Sequence, residues 1–333
     1  MINLSSSPEL LKPDSQEIIE FLDSLAGQSW LGRLRSKWVN YLYHFSELAN
    51  AVEILRSEMI FCRAHLEATG QLPVDIASSD IISQTDREVK EFVRLYFRPR
   101  TPTQYHMEGF RPLGALSKNS HCRVPIFFLF DSRTILCADD TRFSDVNLAI
   151  HGQSRILGST AADLATLNFR QIYSTGPIPA EGRSATVSHR NAEIVVPRQL
   201  DLSALRIICC RSRAEKETLL YLLPQDVAQK WASRVYVNPT LFERSWVYVE
   251  NVNLSRAKAV FEFSPDPEQG GPFAATISVM AGENSFNRSR ENFFGNRKIA
   301  LPMTAELSSY SIELRLDGHI AFGSTYDEMN IPF

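Results

Sequence analysis

The sequence predicts an α+β protein that ends in an all-β part. Up to about residue 233, short apolar runs typical of strands alternate with segments whose apolar residues recur at helical spacing. From residue 234 onward the segments are short, alternate between apolar and polar residues, and are separated by Gly, Pro and Asp turns. A chain of 333 residues with 44% hydrophobic residues can bury more than one core. We therefore expect a helical extension at residues 1–36, a mixed part at residues 37–233 and a β-rich part at residues 234–333.

The first elements follow from capping and spacing. Asp14 and Gly27 bracket an apolar stripe at helical spacing, which predicts a short amphipathic helix. Residues 38–43 form a strand-like run, and Ser46 is placed to cap a helix that follows. The sequence therefore predicts a strand that meets a helix at His44.

Residues 92–97 predict a strand that ends at a rigid turn. Pro99 and Pro102 stop both helix and sheet, so we expect Arg100 on that turn. The other elements expected in the mixed part are a loop at 68–86, strands at 124–130, 192–196 and 205–210, helices at 163–173 and 213–230, and a loop at 174–190.

The β-rich part contains strand-like segments at residues 246–249, 259–263, 275–279 and 311–316. Asp317-Gly318, placed between two alternating runs, is a strong hairpin signal. About 100 residues of this texture predict a small β-sandwich.

Composition narrows the compartment and the chemistry. The five cysteines form no CxxC pair, and their odd number argues against a secreted disulfide framework. The longest apolar run, residues 124–130, is far shorter than the roughly 20 residues of a membrane helix, and the N-terminus lacks a secretory signal. We expect a cytoplasmic protein with no membrane contact. We also expect no metal, because His121, Cys122 and Cys137 lack a second paired motif.

The charge is unevenly distributed along the chain. The formal net charge of -3 is not that of a basic nucleic-acid-binding domain. Residues 87–133 nevertheless carry nine Lys and Arg against four Asp and Glu, a local charge of +5, and residues 183–213 carry six against two, a local charge of +4. Overall charge therefore does not exclude a polyanionic partner, but it predicts a narrow footprint and modest non-specific affinity.

Three polar residues, His44, Arg100 and Glu193, lie at expected junctions between strands and loops, where functional sites tend to be built. Glu193 is the most unusual of them because it interrupts an apolar strand at residues 192–196. A carboxylate in such a strand must be paired or functional, unless it faces water on a half-exposed strand.

Three motifs extend this pattern. They are Tyr43-His44-Phe45-Ser46, Tyr96-Phe97-x-Pro99-Arg100-Thr101-Pro102-x-x-Tyr105, and His189-Arg190-Asn191-Ala192-Glu193-Ile194-Val195. In this order and spacing they resemble the three signatures of the DarT family, which are bacterial NAD-dependent ADP-ribosyltransferases that modify bases in DNA. The resemblance covers about residues 40–223.

The chain departs from the family pattern at a few positions. Ser46 stands where the family has Thr, and Thr101 stands where it has Ser, so both positions keep a hydroxyl. Thr103 stands where Met is usual, and this change and Asn191 bear on the preferred base or sequence.

The resemblance implies an ADP-ribosyltransferase-like fold, with two small packed sheets and flanking helices that hold NAD as a co-substrate in the cleft between them. It makes Glu193 the catalytic carboxylate, which stabilises a cation-like sugar and acts as general base toward the accepting base. Arg100 would contact the NAD phosphates or the reaction centre.

The remaining contacts to NAD are implied in the same way. His44 and Ser46 would hydrogen-bond the nicotinamide-side ribose and amide, and Tyr96 or Tyr105 would stack on the nicotinamide ring.

On the substrate side, the loop at 174–190 resembles the recognition loop that precedes the catalytic Glu in these transferases. Its Arg183, His189 and Arg190 would meet a phosphate backbone or a base edge. The resemblance favours single-stranded DNA, whose bases are accessible, and implies a macrodomain-type antitoxin as partner.

The sequence leaves two alternatives open. The same enzyme could modify RNA or protein, which a comparison of label transfer to the three substrates would decide. The chain could instead be a catalytically silent NAD- or nucleic-acid-binding module, which would bind NAD without releasing nicotinamide.

Overall fold

The structure is a computed structural model. It describes residues 10–71, 74–75, 87–112, 121–148, 157–178, 180–264, 270–295, 298–303 and 305–330. Most of the loop expected at 68–86 lies outside these residues. Within the described ranges, no helix combines the length and the apolar character needed to cross a lipid bilayer.

Helices and strands alternate up to residue 237, and strands dominate beyond it. The helices are α1 (Ser15–Ala26), α2 (Gly32–Arg35), α3 (Leu48–Ser57), α4 (Arg63–Thr69), α5 (Arg87–Lys90), α6 (Pro102–Met107), α7 (Ser132–Cys137), α8 (Ala161–Thr166), α9 (Phe169–Ile172), α10 (Arg183–Arg190), α11 (Arg213–Leu222) and α12 (Gln225–Trp231). The strands are β1 (Tyr41–Glu47), β2 (Met59–Phe61), β3 (Phe92–Tyr96), β4 (Pro125–Asp131), β5 (Arg142–Ser144), β6 (Glu193–Pro197), β7 (Gln199–Asp201), β8 (Leu205–Cys210), β9 (Val235–Val237), β10 (Val249–Leu254), β11 (Lys258–Phe263), β12 (Phe273–Ala281), β13 (Asn284–Phe293), β14 (Ile299–Pro302), β15 (Ser309–Leu316) and β16 (His319–Asp327).

A seven-stranded sheet of order β5-β6-β3-β1-β4-β8-β9 forms the centre of the mixed part. Its neighbours are antiparallel except for β8 and β9, which are parallel. Strands β1 and β4 pair over seven residues, from Tyr41 opposite Asp131 to Glu47 opposite Pro125. Strands β1 and β3, in contrast, pair only where Tyr43 faces Tyr96, so the sheet is loosely joined at this point.

The N-terminal extension packs through α1 against helices α7 and α8. The amphipathic helix expected between Asp14 and Gly27 is confirmed, and Ile18, Leu22 and Leu25 are buried. Asp14 does not cap α1; its carboxylate accepts a hydrogen bond from the N–H of Ala161 at 2.5 Å. The extension is therefore tied to the start of α8.

The expected strand end at Tyr43 was wrong. Strand β1 continues to Glu47, so His44 and Ser46 lie inside it, and Ser46 does not cap α3. The reason is the long ladder with β4, which satisfies the backbone up to Glu47 and ends where the Leu48 N–H donates to the Val124 carbonyl.

Three other elements differ from expectation. The helix expected at 163–173 is two short helices, because Asn168 caps a new one. The helix expected at 213–230 breaks at Pro224, which has no N–H to continue it. The loop expected at 174–190 contains α10, whose polar sequence hides its helical pattern.

The C-terminal part consists of two sheets, β10-β11-β14 and β13-β12-β15-β16. Their inner faces pack on each other, with the rings of Phe261 and Phe322 5.8 Å apart, as a sandwich requires. The α+β class with an all-β continuation is therefore confirmed, as is the hairpin at Asp317-Gly318.

Helix α11 lies between the two parts of the chain. Its Thr218 hydroxyl accepts a hydrogen bond from the N–H of Gly323 in β16, at 3.1 Å. A Cβ on Gly323 would lie 2.6 Å from the Tyr221 ring, so β16 approaches α11 as closely as a glycine permits. The expected division at residue 234 stays a prediction, although β9, just beyond it, still belongs to the seven-stranded sheet.

Candidate active site

A cavity of about 590 Å³ opens where β1 and β3 separate. His44 and Ser46 of β1 and Arg94 of β3 line it, and α3, residues 59–71 and Val74 close its other side. The volume lies within the usual range of small-molecule sites, roughly 300–1,000 Å³. The single pair between Tyr43 and Tyr96 therefore explains why a cavity forms in the middle of the sheet.

His44 presents one ring nitrogen to this cavity as an acceptor. Its Nδ1 lies 3.1 Å from the carbonyl oxygen of Arg94, which can only accept, so Nδ1 carries the proton. Burial lowers the pKa of His44 below its ordinary value, so the ring is neutral near pH 7. Nε2 is then left to accept a hydrogen bond from a hydroxyl or amide of a ligand.

Ser46 is buried on the same strand, two residues further along. Its side chain lies on the same face of β1 as that of His44, because side chains alternate along a strand. Among the described residues its hydroxyl has no hydrogen-bond partner, so it can serve a ligand.

Glu193 is fully buried, at 0% exposure, at the start of β6. One carboxylate oxygen forms an ion pair with an Nη of Arg94 at 2.5 Å. The other accepts a hydrogen bond from the N–H of Leu148 at 3.1 Å. The water-facing alternative is thus excluded, and the carboxylate is paired as burial requires.

Arg94 is the residue that sequence reasoning missed. Its guanidinium connects the cavity, which it lines, to Glu193. It also lies near the Tyr96 hydroxyl, and its Nε is buried with no partner among the described residues. Burial acts to lower the pKa of Arg94, but the Glu193 carboxylate raises it above its ordinary value. A charge inside the apolar strand Phe92–Tyr96 was the signal that could have found it.

Tyr96 lies opposite Glu193 in the β3–β6 register and stacks on Phe45 at 6.1 Å. Burial raises the pKa of Tyr96 to about 12, so its phenol is neutral. Its hydroxyl lies near Thr103, whose own N–H and hydroxyl donate to the Asn191 side-chain oxygen at 3.2 and 3.0 Å. Two of the positions that depart from the family pattern, 103 and 191, therefore contact each other.

Arg100 lies outside the cavity lining. It occupies the expected turn with a left-handed φ of 56°, and its N–H donates to the Gln104 side chain at 2.8 Å. Its side chain is 48% exposed and lies 3.4 Å from the Glu243 carboxylate. Tyr105, on the helix that follows, is 53% exposed and also lies outside the lining.

The three residues expected to contact substrate differ in availability. Arg183 begins α10 and is exposed. His189 bonds the Asp145 carbonyl through Nδ1 at 3.1 Å. Arg190 is buried, and its guanidinium donates to the Ser174 hydroxyl at 3.0 Å and the Gly176 carbonyl at 2.9 Å. In this structure Arg190 therefore holds the preceding loop in place.

The structure thus places His44 and Ser46 in the cavity lining together with Arg94, whose guanidinium pairs with the buried Glu193. Glu193, Tyr96, Arg100, Tyr105 and Arg183 are not part of that lining. Within the described ranges, no group of three or more His, Cys, Asp or Glu side chains could hold a metal ion. The donors around the cavity are a neutral imidazole, a hydroxyl and a guanidinium, which suit a polar organic ligand rather than a metal.

Comparison with known proteins adds the following findings. Residues 43–248 match the family model described as "ssDNA thymidine ADP-ribosyltransferase, DarT". No curated protein matches the sequence. Among solved structures, Thermus sp. 2.9 DarT in complex with ADP-ribosylated ssDNA is 16% identical with a TM-score of 0.49, and the match covers 61% of this chain and 96% of that one.

Two further structures are similar over the same share of this chain. Thermus sp. 2.9 DarT in complex with NAD+ is 15% identical with a TM-score of 0.47, and 97% of that chain is covered. Thermosipho africanus DarTG in complex with ADP-ribose is 20% identical with a TM-score of 0.44, and 51% of that chain is covered.

The family match, which spans more than half of the chain and both His44 and Glu193, defines the class of protein as an NAD-dependent ADP-ribosyltransferase. NAD+ is its co-substrate. More particularly, the chain belongs to the DarT family. This confirms the resemblance seen in the three motifs and the ADP-ribosyltransferase-like fold that it implied.

Proposed function

We propose that the chain transfers ADP-ribose from NAD+ to a thymidine base in single-stranded DNA, with Glu193 as the catalytic carboxylate. The assignment rests on one observation. Glu193 is a fully buried carboxylate that forms an ion pair with Arg94, and Arg94 lines a cavity that His44 and Ser46 also line. A carboxylate in that place is a fixed negative charge next to the ligand-binding cavity.

The chemistry requires little more than such a charge. The bond from the ribose C1′ to nicotinamide breaks, its electron pair leaves with nicotinamide, and the sugar becomes cation-like. Glu193 stabilises that cation. The base then forms its bond to C1′ and loses a proton, which Glu193 is placed to accept as general base.

The cavity suits NAD+ in size and in polar groups. His44 Nε2 accepts a hydrogen bond from the nicotinamide amide and its ribose. The Ser46 hydroxyl exchanges hydrogen bonds with the same two groups. Tyr96 is buried against Phe45 and serves as the apolar wall beside Glu193. Aromatic side chains of this kind stack on flat ring ligands.

DNA approaches from the surface outside the cavity. Arg100 and Arg183 are exposed there, in the two basic segments, and are available to phosphates. Tyr105 also exposes its ring outside the cavity and can stack on a base. Single-stranded DNA presents the target base without the cost of flipping it out of a duplex.

An enzyme that modifies DNA bases poisons the cell that makes it. We therefore propose that the chain acts as a toxin, restrained by a macrodomain-type antitoxin that removes the ADP-ribose. Its five cysteines are free and buried, which suits the reducing cytoplasm, where DNA and NAD+ are both present.

The test is a label-transfer assay with labelled NAD+ and single-stranded oligonucleotides with and without thymidine. We expect transfer to the thymidine oligonucleotide and a loss of at least about a thousand-fold in Glu193→Gln. Glu250→Gln, which removes an exposed carboxylate paired with Arg244, is the control and should keep full activity.

Parallel arms with RNA and with lysate protein decide the substrate class, and mass spectrometry of the product names the modified base. No transfer to DNA, transfer that Glu193→Gln does not reduce, or a strong preference for RNA would refute the proposal.

A further inference from the structure

We propose that Arg94 is a positioning residue for the reaction: it supplies the counter-charge of the buried Glu193 carboxylate, fixes its orientation and links it to the cavity. This rests on the proposed function, because it explains how the catalytic carboxylate is held. Neither the motifs nor the family match assigns a role to this position.

Arg94 reaches Glu193 diagonally across two strands. In the β3–β6 register Tyr96 lies opposite Glu193 and Arg94 lies opposite Val195, so Arg94 is the diagonal neighbour of Glu193 on the same face. Diagonal Cβ atoms in a sheet lie roughly 7 Å apart, which only a long side chain can span. The guanidinium spans it and places an Nη 2.5 Å from the carboxylate.

The charge of Glu193 depends on this contact. Glu193 has no exposed surface, and a buried carboxylate without a counter-charge takes up a proton. In the described part of the chain, two titratable groups interact with Glu193: Arg94 and Tyr96, both on β3. Of these two, Arg94 is the cation. The segment after β5 contributes the uncharged Leu148 N–H. Arg94 is therefore the counter-charge of this buried carboxylate.

The orientation of the carboxylate is set by two donors. Arg94 holds one oxygen, and the Leu148 N–H holds the other. An ionised carboxylate has about four acceptor sites, so each oxygen keeps a free lone pair for a ligand hydroxyl or a proton. Two donors from separate segments fix the plane of the group and still leave it able to react.

Arg94 is itself held in place. Its guanidinium is held by the ion pair with Glu193 and lies near the Tyr96 hydroxyl, which is itself close to Thr103 of α6. Its Nε remains a buried donor without a partner among the described residues. Unsatisfied buried donors are costly and are kept where a ligand satisfies them. Arg94 therefore also offers an N–H to the bound co-substrate.

The experiment compares Arg94→Gln and Arg94→Lys in the full chain, with kcat, the KM for NAD+ and the pH–rate profile as readouts. We expect Arg94→Gln to lower kcat at pH 7 by at least about ten-fold and to move the acid limb of the profile up by about one pH unit or more. Arg94→Lys keeps the charge but not the planar fork, so its acid limb should stay in place while kcat falls a few-fold.

The matched control is Arg206→Gln, which breaks the Arg206–Asp131 contact on the exposed surface of the same sheet and should change none of the readouts. An Arg94→Gln enzyme with an unmoved acid limb, or one more active than wild type, overturns the proposal. If Arg94→Gln does not fold, Arg94→Lys decides: a displaced acid limb or an unchanged kcat overturns it. If Glu193→Gln stays active, the proposed function itself fails, whatever the Arg94 variants do.

Discussion

Glu108 holds together the turn that carries Arg100 and the segment that leads into the C-terminal part. It is 1% exposed and accepts four hydrogen bonds. One oxygen accepts from the Arg211 guanidinium at 3.2 Å and the Arg244 N–H at 2.9 Å. The other accepts from the Gln104 side chain at 2.8 Å and the Glu243 N–H at 2.9 Å. We expect Glu108→Gln to be strongly destabilising.

The magnitude follows from this count. Glutamine replaces one oxygen by an NH₂ group, and because each oxygen serves two donors, either amide orientation sets a donor against two others. A buried donor left unsatisfied costs about 1–3 kcal/mol. Arg211, which is fully buried, also loses one of its two carboxylate partners and keeps only Glu215. Removing one partner of a buried pair costs about 3–5 kcal/mol, and we expect a loss in that range.

The assay is equilibrium urea unfolding of the full chain, with Glu306→Gln as control. The Glu306 side chain is 71% exposed and meets Arg256 only at 3.7 Å, so its loss should change the free energy of unfolding by less than about 0.5 kcal/mol. If Glu108→Gln lowers the free energy of unfolding by less than about 1 kcal/mol, the reasoning is refuted, because the four hydrogen bonds would then contribute no net stability.

Three further variants test separate features. Burial raises the pKa of Glu47 to about 7 from 4.5, so the folded protein holds a proton that the unfolded chain has lost, and wild-type stability falls as pH rises through this interval. Glu47→Gln removes this titrating group. As pH rises from 4.5 to 7, its free energy of unfolding in urea should therefore increase relative to that of wild type by up to about 3 kcal/mol. Arg100→Ala should raise the KM for the oligonucleotide and reduce the slope of log KM against log salt by about 0.7, since one phosphate contact is lost. Gly323→Ala places a Cβ against Tyr221 and should cost about 1–3 kcal/mol.

Each of these has a matched control. Glu53→Gln, which removes an exposed carboxylate from the neighbouring helix, is the control for Glu47→Gln. It should show no such pH-dependent difference in the free energy of unfolding from wild type. Arg206→Ala should leave the salt slope unchanged, and an equal change in both variants would remove Arg100 from the DNA contact. Ser324→Ala should unfold as wild type does, and if Gly323→Ala does so too, β16 does not press on α11 in solution.

Local patterns predicted several elements well. Strand β8 has the expected bounds. The Asp317-Gly318 hairpin follows from turn chemistry, and α1 follows from apolar residues at helical spacing; both signals act over a few residues. The end of β1 could not be read in this way, because it is decided by pairing with β4, about eighty residues away. Helix α10 was missed for another reason: its polar residues are typical of a loop as well as of an exposed helix.

The site shows the same division. The apolar neighbours of Glu193 along the chain mark it as paired or functional, but they do not name its partner. Arg94 carries the same signal, a charge in an apolar strand, and only the β3–β6 register shows that the two signals belong together. Arg190 was expected to contact substrate, yet its hydrogen bonds to the loop at Ser174 and Gly176 could not be foreseen from spacing.

Helix α11 has a consequence for how proteins of this architecture can vary. One side of the helix supports the seven-stranded sheet, and the other meets β16 and β10 of the C-terminal sheets. A C-terminal part that completes the core of its neighbour cannot be exchanged between relatives as an independent cassette, because a replacement would have to reproduce the fit of Gly323 against Tyr221. Sequence change in this part is least constrained on the exposed edge strand β13, where new contacts can evolve without disturbing the catalytic half.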